Sequence, residues 1–342
     1  MFDFSNKSKK ELLELTGRIG QIAGVRRFTY NDGNAKGLDA ARVKTGSGLE
    51  FTVLEGRNME IYDLSYKGIN LAFMYKNGLT NPMRVPQTPN EFLNYGVGGM
   101  MYTSGLMNSG QENTVDGLFQ PLHGRISEMG AEQVQTFSDF DSEGNYKIRL
   151  SGKTQESRLF QHQLNLTRTY NTELNADYFE LRDIIENPTC RPVDFSLMYH
   201  INFGYPFIDD GVELILPEGD EYTARDDWSK ENIDDRLKVT EPIDSYLEHL
   251  YYYQFPNQQQ DKVTAIIRNK KLGLEVHLSY SNKELPWLME WKSMGSGDYC
   301  FAVMPSTSSV KGREIELKED GLTRIEPYGK YELGFKFEVV EI

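Results

Sequence analysis

The chain has 342 residues, enough for one large β domain or two ordinary ones. Its 37 Lys and Arg stand against 51 Asp and Glu, and the resulting charge of −14 repels phosphate backbones and anionic lipid, so neither nucleic acid nor a membrane is expected as a partner. No apolar run approaches the roughly 20 residues of a membrane span, and the opening MFDFSNKSKKELLEL has no secretory-signal core, so a cytoplasmic protein is expected.

The pattern starts as a helix and then changes period. Ser8 can cap a segment that places Leu12, Leu13, Leu15, Ile19 and Ile22 on one face and stops at Gly24. From about residue 25 the period is two. Phe51, Val53 and Leu54, a turn at Gly56, then Met59 and Ile61 predict a hairpin. Alternation continues through Leu164–Tyr170, Phe179–Ile185, Phe195–Asn202, Val263–Arg268, Leu272–Tyr280, Tyr299–Val303 and Tyr331–Val340. Turn-formers separate these runs, as in NDGN at 31–34, DSEG at 141–144, NPT at 187–189 and GSG at 295–297.

No helical pattern alternates with the strands, which argues against a parallel sheet. The expectation is an all-β chain, a large antiparallel β-sandwich of curved sheets, with residues 1–24 as a helical segment and 25–342 as one domain. Residues 80–120, rich in proline (Pro82, Pro86, Pro89) and glycine, should form long loops, and the acid-rich stretch 217–245 a surface excursion. Cys190 and Cys300 are too few for a disulfide framework. Both fall in strand-like apolar runs and are expected as buried free thiols.

Phosphate loops, CxxC, HExxH and GxSxG are all absent, so metal and nucleotide cofactors lack sequence support. Isolated polar residues remain. His123, in Pro121–Arg125, can aim its imidazole together with the Arg125 guanidinium at one ligand, or be a hydrogen-bonded turn residue beside a surface cation. In an alternating strand His200 shares a face with Ser196 and Met198, while Tyr199 points the other way. The rim of a sheet and a packed core are both open to His200. Glu248, within Tyr246–Tyr253, reads either as a ligand for sugar hydroxyls or as an outward charge. The run Leu285–Lys292, GSG and Tyr299–Ser306 reads as a hairpin whose second strand brings position 304 to a proline.

Taken in order, Leu122-His123-Gly124, Tyr199-His200-Ile201-Asn202-Phe203-Gly204-Tyr205-Pro206, the acid-centred Leu247–Tyr252, and Trp291-Lys292 leading to Tyr299 and Pro305 resemble the galactose mutarotase-like superfamily. They are most similar to its bacterial aldose 1-epimerase-like branch of unassigned substrate. The resemblance implies a β-supersandwich and a cofactor-free isomerase that interconverts sugar anomers. A carboxylate takes the proton of the anomeric hydroxyl while a histidine protonates the ring oxygen. Carried over, His200 is the general acid, His123 holds the sugar near its ring oxygen and Glu248 grips a ring hydroxyl. Asn108, Arg125, Tyr199, Trp291 and Lys292 are further candidates for sugar contact, and Arg84, Arg125 and Lys292 are cations that an anionic sugar would meet.

One departure weakens catalysis. Relatives carry the base, a glutamate, directly before the proline of the last motif, and here that position is Met304. Glu290 or Glu248 is the available substitute. Relatives also have a cysteine where Ser104 stands and an acid where Met107 stands. The readings are therefore a mutarotase with an unidentified base, a non-catalytic sugar binder, or, more remotely, other polysaccharide chemistry on the same scaffold.

Overall fold

Two antiparallel sheets, one 12-stranded and one 8-stranded, form the body of the protein in a computed structural model that describes residues 4, 7–84, 91–96, 98–256 and 261–342. Pro86 and Pro89, and most of the first six residues, lie outside the described part. Down the middle of the larger sheet run the strands Glu60–Tyr66, Met101–Leu106, Val193–Phe203, Asp298–Ser306, Trp287–Gly295 and His249–Gln254, each paired with the next. The smaller sheet is centred on Gln163–Glu173, Tyr178–Glu186 and Lys330–Glu341. The large antiparallel sandwich expected from the alternation is what forms.

The two sheets are joined by their inward positions. Phe51 of the larger sheet packs on Phe179 of the smaller one at 4.8 Å, and Tyr199 of the larger sheet meets Phe335 of the smaller one at 5.0 Å. Rings of this size each contribute roughly 1.5–3 kcal/mol on burial. Set within this apolar layer is an ion pair with no exposed surface on either partner, Arg168 with Asp183. Arg168 gives two charge-assisted hydrogen bonds to Asp183, Nε to Oδ1 at 2.9 Å and Nη2 to Oδ2 at 2.7 Å. Its Nη1 crosses to the larger sheet, donating to Thr103 Oγ1 at 2.9 Å and to the Asn58 carbonyl at 3.2 Å. Tyr199 answers from that sheet, its hydroxyl donating to Asp183 Oδ2 at 2.9 Å.

Several expectations are corrected. The first helix, Lys9–Thr16, is capped by Ser8 with Glu11 completing a capping box, but it ends at Gly17, whose left-handed φ of 58° closes it seven residues early. Leu12 is buried, while Leu13 and Leu15 are exposed. The stretch 80–120 is not loop throughout, because it contains the fully buried strand Met101–Leu106. Cys300 is buried on its strand, whereas Cys190 is exposed in a bend. The acid-rich stretch is less of an excursion than expected. Its strand Glu221–Ala224 adds to the edge of the larger sheet, and the short helix Asp227–Glu231 follows. Among the described residues no helix is long and apolar enough to cross a membrane.

Replacing Asp183 by Asn leaves the Arg168 charge buried without its counter-ion. The expected loss is about 3–5 kcal/mol in urea unfolding. A loss below about 1 kcal/mol would remove the pair from its place as the clamp between sheets.

Candidate active site

His200 lies at the centre of the outer face of the larger sheet. Because side chains alternate, Ser196, Met198, His200 and Asn202 face out while Leu197, Tyr199, Ile201 and Phe203 face the other sheet. Strand register then decides its neighbours. Tyr102 pairs with His200 on one side. On the other, the register that joins Met198 to Ser306 and Ile201 to Val303 sets Met304 across from it.

His123 reaches this face from a loop. Its φ of 62° is in the left-handed region, which histidine tolerates better than most residues, and Gly124 follows at 78°. Only glycine fits at 124, where a Cβ would stand 2.1 Å from the Gly105 carbonyl oxygen. Backbone bonds lock the turn to the neighbouring strand end, from Gly105 N to His123 O at 3.0 Å and from Arg125 N to Gly105 O at 3.1 Å. Ser104, the position noted as remodelled, lies 3.1 Å from His123 Nδ1 through its Oγ, while Met107 packs into the core.

The two imidazoles therefore meet, with ring centres 5.8 Å apart and edge to face. Tyr102 touches both, at 5.5 Å and 5.8 Å, and Phe92 adds a second ring beside His123. Beyond His200 stands Trp291 at 5.9 Å, and its indole N–H donates to Glu248 Oε2 at 2.9 Å. Glu248 is 49% exposed and also takes Arg225 Nη1 on Oε1 at 2.7 Å. His123, His200, Trp291 and Glu248 thus come together on this face. Tyr102, Phe92, Asn202 and Arg225 join them without having been singled out in the sequence.

The remaining candidates do not join. Tyr199 and Glu290 lie on inward-facing positions, so Tyr199 belongs to the Arg168 clamp and Glu290, fully buried, accepts from Tyr253 at 3.2 Å. Lys292 shares that inward face, and its Nζ donates to the carbonyls of Asp235, Arg236 and Lys238. Asn108 is a brace with every polar position used. Its amide donates to Gln111 O and Pro121 O, and its oxygen accepts from Asn113 and Arg313. Arg125 donates to Phe119 O and Gln120 Oε1 and not toward the imidazoles. Arg84 is exposed at the end of a short 3₁₀ turn.

Met304 is 2% exposed and packs with Met198, Met289, Leu250 and Tyr252, so the position where the resemblance implies a base is sealed by thioethers and rings. Burial pushes His123 down to about 3, with the charge of His200 adding to the effect. It pushes His200 to about 4, against the opposing pull of Asn202 and Glu248. Both rings are neutral at neutral pH. Among the described residues no group of three or more His, Cys, Asp or Glu side chains is placed to hold a metal ion.

Comparison with known proteins bears out the resemblance at the level of fold. The family model described as a domain of unknown function, DUF4432, matches residues 35–339. No curated protein matches the sequence. A candidate aldose 1-epimerase from Klebsiella pneumoniae superposes with a TM-score of 0.87 at 21% identity, covering 93% of this chain and 83% of that one. A galactose mutarotase-like protein from Clostridium acetobutylicum gives 0.64 at 14% identity over 94% and 100% of the two chains. Galactose 1-epimerase from Lactobacillus acidophilus gives 0.57 at 11% over 93% and 98%. The fold is the galactose mutarotase-like one.

These buried groups set a pH profile for stability. The folded chain binds fewer protons than the unfolded one at His123 and His200 between about 4 and the ordinary 6.5, so stability falls as pH drops through that window. Burial pushes Glu60 and Glu290 up to about 8, so the folded chain holds extra protons above 4.5 and stability falls as pH rises toward 8. The unfolding midpoint should therefore drop below about pH 4.5, where only the imidazoles act, and above about pH 6.5, where only the carboxyls do, and Glu60→Gln should flatten the alkaline side. An unchanged alkaline slope in that variant would contradict this assignment.

Proposed function

The chain belongs to the DUF4432 family of domains of unknown function, and on that premise we propose that it is a carbohydrate-binding protein of the aldose 1-epimerase type, interconverting the α and β anomers of a neutral sugar. The observation that carries this reading is the meeting of His123 and His200, from distant stretches of chain, on one outer face of the sheet. Among the described residues the buried Tyr102 OH on that face has no hydrogen-bond partner, and His200 Nδ1 and Asn202 Oδ1 find none beyond each other's side chain. Polar atoms buried without partners are costly, and a polyol supplies both donors and acceptors. A neutral ligand is favoured because Arg125, Arg225 and Lys292 are each already engaged within the protein.

The proton transfers follow from what the site lacks. Met304 cannot accept a proton, and Glu290 faces the wrong side of its strand. Glu248 is held by Arg225 and Trp291 and is assigned to binding, so His200 is left as the residue that moves protons. Neutral in the free site, it accepts the proton of the anomeric hydroxyl as the C1–O5 bond breaks and the C1 carbonyl forms. The imidazolium then returns that proton to the ring oxygen, giving the open-chain aldehyde. Rotation about C1–C2 and the reverse sequence give the other anomer. His123 holds the ring-oxygen side and Glu248 a ring hydroxyl. Losing a dedicated base costs roughly 10² to 10⁴ in rate.

Met304 also favours a second reading, a binder that turns nothing over. Anomer exchange measured by NMR over a panel of neutral aldoses separates the two. The first reading expects acceleration by wild type, abolished in His200→Ala, with a rate that rises through about pH 4 and stays level to pH 8. Met304→Glu should raise that rate. Saturable binding without exchange, gained only in Met304→Glu, would select the second reading.

A further inference from the structure

We infer that Arg225 is a positioning residue of this site, fixing the Glu248 carboxylate against the Trp291 indole so that its remaining lone pairs accept hydroxyls of the bound sugar. The inference rests on the sugar-binding reading above.

Glu248 is half exposed and stands just before the strand His249–Gln254, where a lone carboxylate would sample many rotamers. Two donors from different directions hold it. The Arg225 fork gives Nη1 to Oε1 at 2.7 Å and Nη2 to the Glu248 carbonyl at 3.4 Å, while Trp291 takes Oε2. A carboxylate offers about four acceptor positions, so two stay open for hydroxyl donors.

Arg225 is itself fixed. Its Nε donates to Asp226 Oδ2 at 2.8 Å, and Asp226 caps the helix Asp227–Glu231 by accepting from Ser229 N at 2.7 Å. Ser229 closes the loop back to the site strand. Its hydroxyl oxygen accepts from Leu250 N at 3.2 Å, and its carbonyl accepts from the Tyr251 hydroxyl at 2.9 Å. The Trp228 indole reaches the Leu247 carbonyl at 3.2 Å. Farther along, the three carbonyls held by Lys292 tie down residues 235–238. The acid-rich stretch is therefore a braced wall of the site, and Arg225 is its point of contact with Glu248.

The geometry predicts a separation of effects. Ion pairs that reach solvent add about 0–1 kcal/mol, and Arg225 and Glu248 are 25% and 49% exposed, so Arg225→Ala should still fold, with only a small drop in unfolding midpoint. Sugar Kd and KM should rise about 10- to 100-fold with kcat held, because Glu248 binds the ground state and the transition state alike. Arg225→Lys, which keeps the charge but loses the fork, should fall between, and added guanidinium ion should restore part of the loss. The positioning itself is read without sugar. In ¹H–¹⁵N spectra assigned with Trp291→Phe, the Trp291 indole N–H should move upfield in Arg225→Ala as its carboxylate partner swings away. An unmoved indole resonance, or a moved one with wild-type sugar affinity, overturns the inference. If the resonance moves but wild type binds no sugar at all, the positioning stands and the carbohydrate reading falls.

Discussion

The Arg168–Asp183 pair is the interaction on which the placement of everything else depends. Two charges wholly removed from water cost several kcal/mol each, and their attraction offsets this only if their remaining hydrogen-bonding capacity is met. Here it is met across the sandwich, by Thr103 and the Asn58 carbonyl on one partner and Tyr199 on the other. That requirement fixes register. A slip of one residue in Val193–Phe203 would turn Tyr199 outward, leave Asp183 short of a donor and bury His200 in the core. The strand that presents the histidine outward is held by its neighbour's bond inward. Thr103 does the same for its strand, whose outward neighbours Tyr102 and Ser104 touch His123.

The site is accordingly a property of one face of the sheet. In the run Trp287–Lys292, Trp287, Met289 and Trp291 look out toward Met304 and His200, while Leu288, Glu290 and Lys292 look in. A carboxylate one position away in sequence is on the far side of the sheet in space. The same alternation keeps Glu290 and Lys292 off the outer face, on the inner side where they serve Tyr253 and the carbonyls at 235–238. Chemistry on the outer face is left to imidazole, phenol, indole and the one braced carboxylate.

Much of this was legible in the alternation and some of it was not. Period two located most of the long strands, though not Glu132–Phe140 or Tyr146–Ser157, and placed His200 with Ser196 and Met198. Applied consistently, it also rules out Tyr199 and Glu290 as ligands, because each sits one step from an outward residue. Asn108 and Arg125 had the right residue types near the His123 motif, but neighbours in the same loops and, for Asn108, the distant Arg313 backbone consume them. Arg225 gave no local signal. Its role depends on an antiparallel pairing, Ala224 with Tyr251, which brings residues more than twenty apart in sequence side by side. Cys190 is exposed because Pro188 and Pro192 bracket it and the chain turns out into solvent between them. The first helix ended early for a local reason that the sequence does carry, a glycine at 17 able to adopt the left-handed closing conformation.

Met304 and the protonation of His200 are two aspects of a single change. An ionised carboxylate across the strand from an imidazole favours its charged form and would hold a proton on His200, making it an acid ready to give. A buried thioether provides no charge, so desolvation dominates and the ring is neutral, pulled back only partly by Asn202 and the more distant Glu248. With methionine at 304, where the resemblance implies a glutamate, the position beside His200 carries no carboxylate and the ring is left unprotonated and able to accept. If the site turns over, the acceptor and the donor have to be the same imidazole, used in succession. The neighbouring residues agree with such a site. His123 adds no charge that would compete for the proton, and the sealed methionine cluster keeps water away from the side on which a second base would stand.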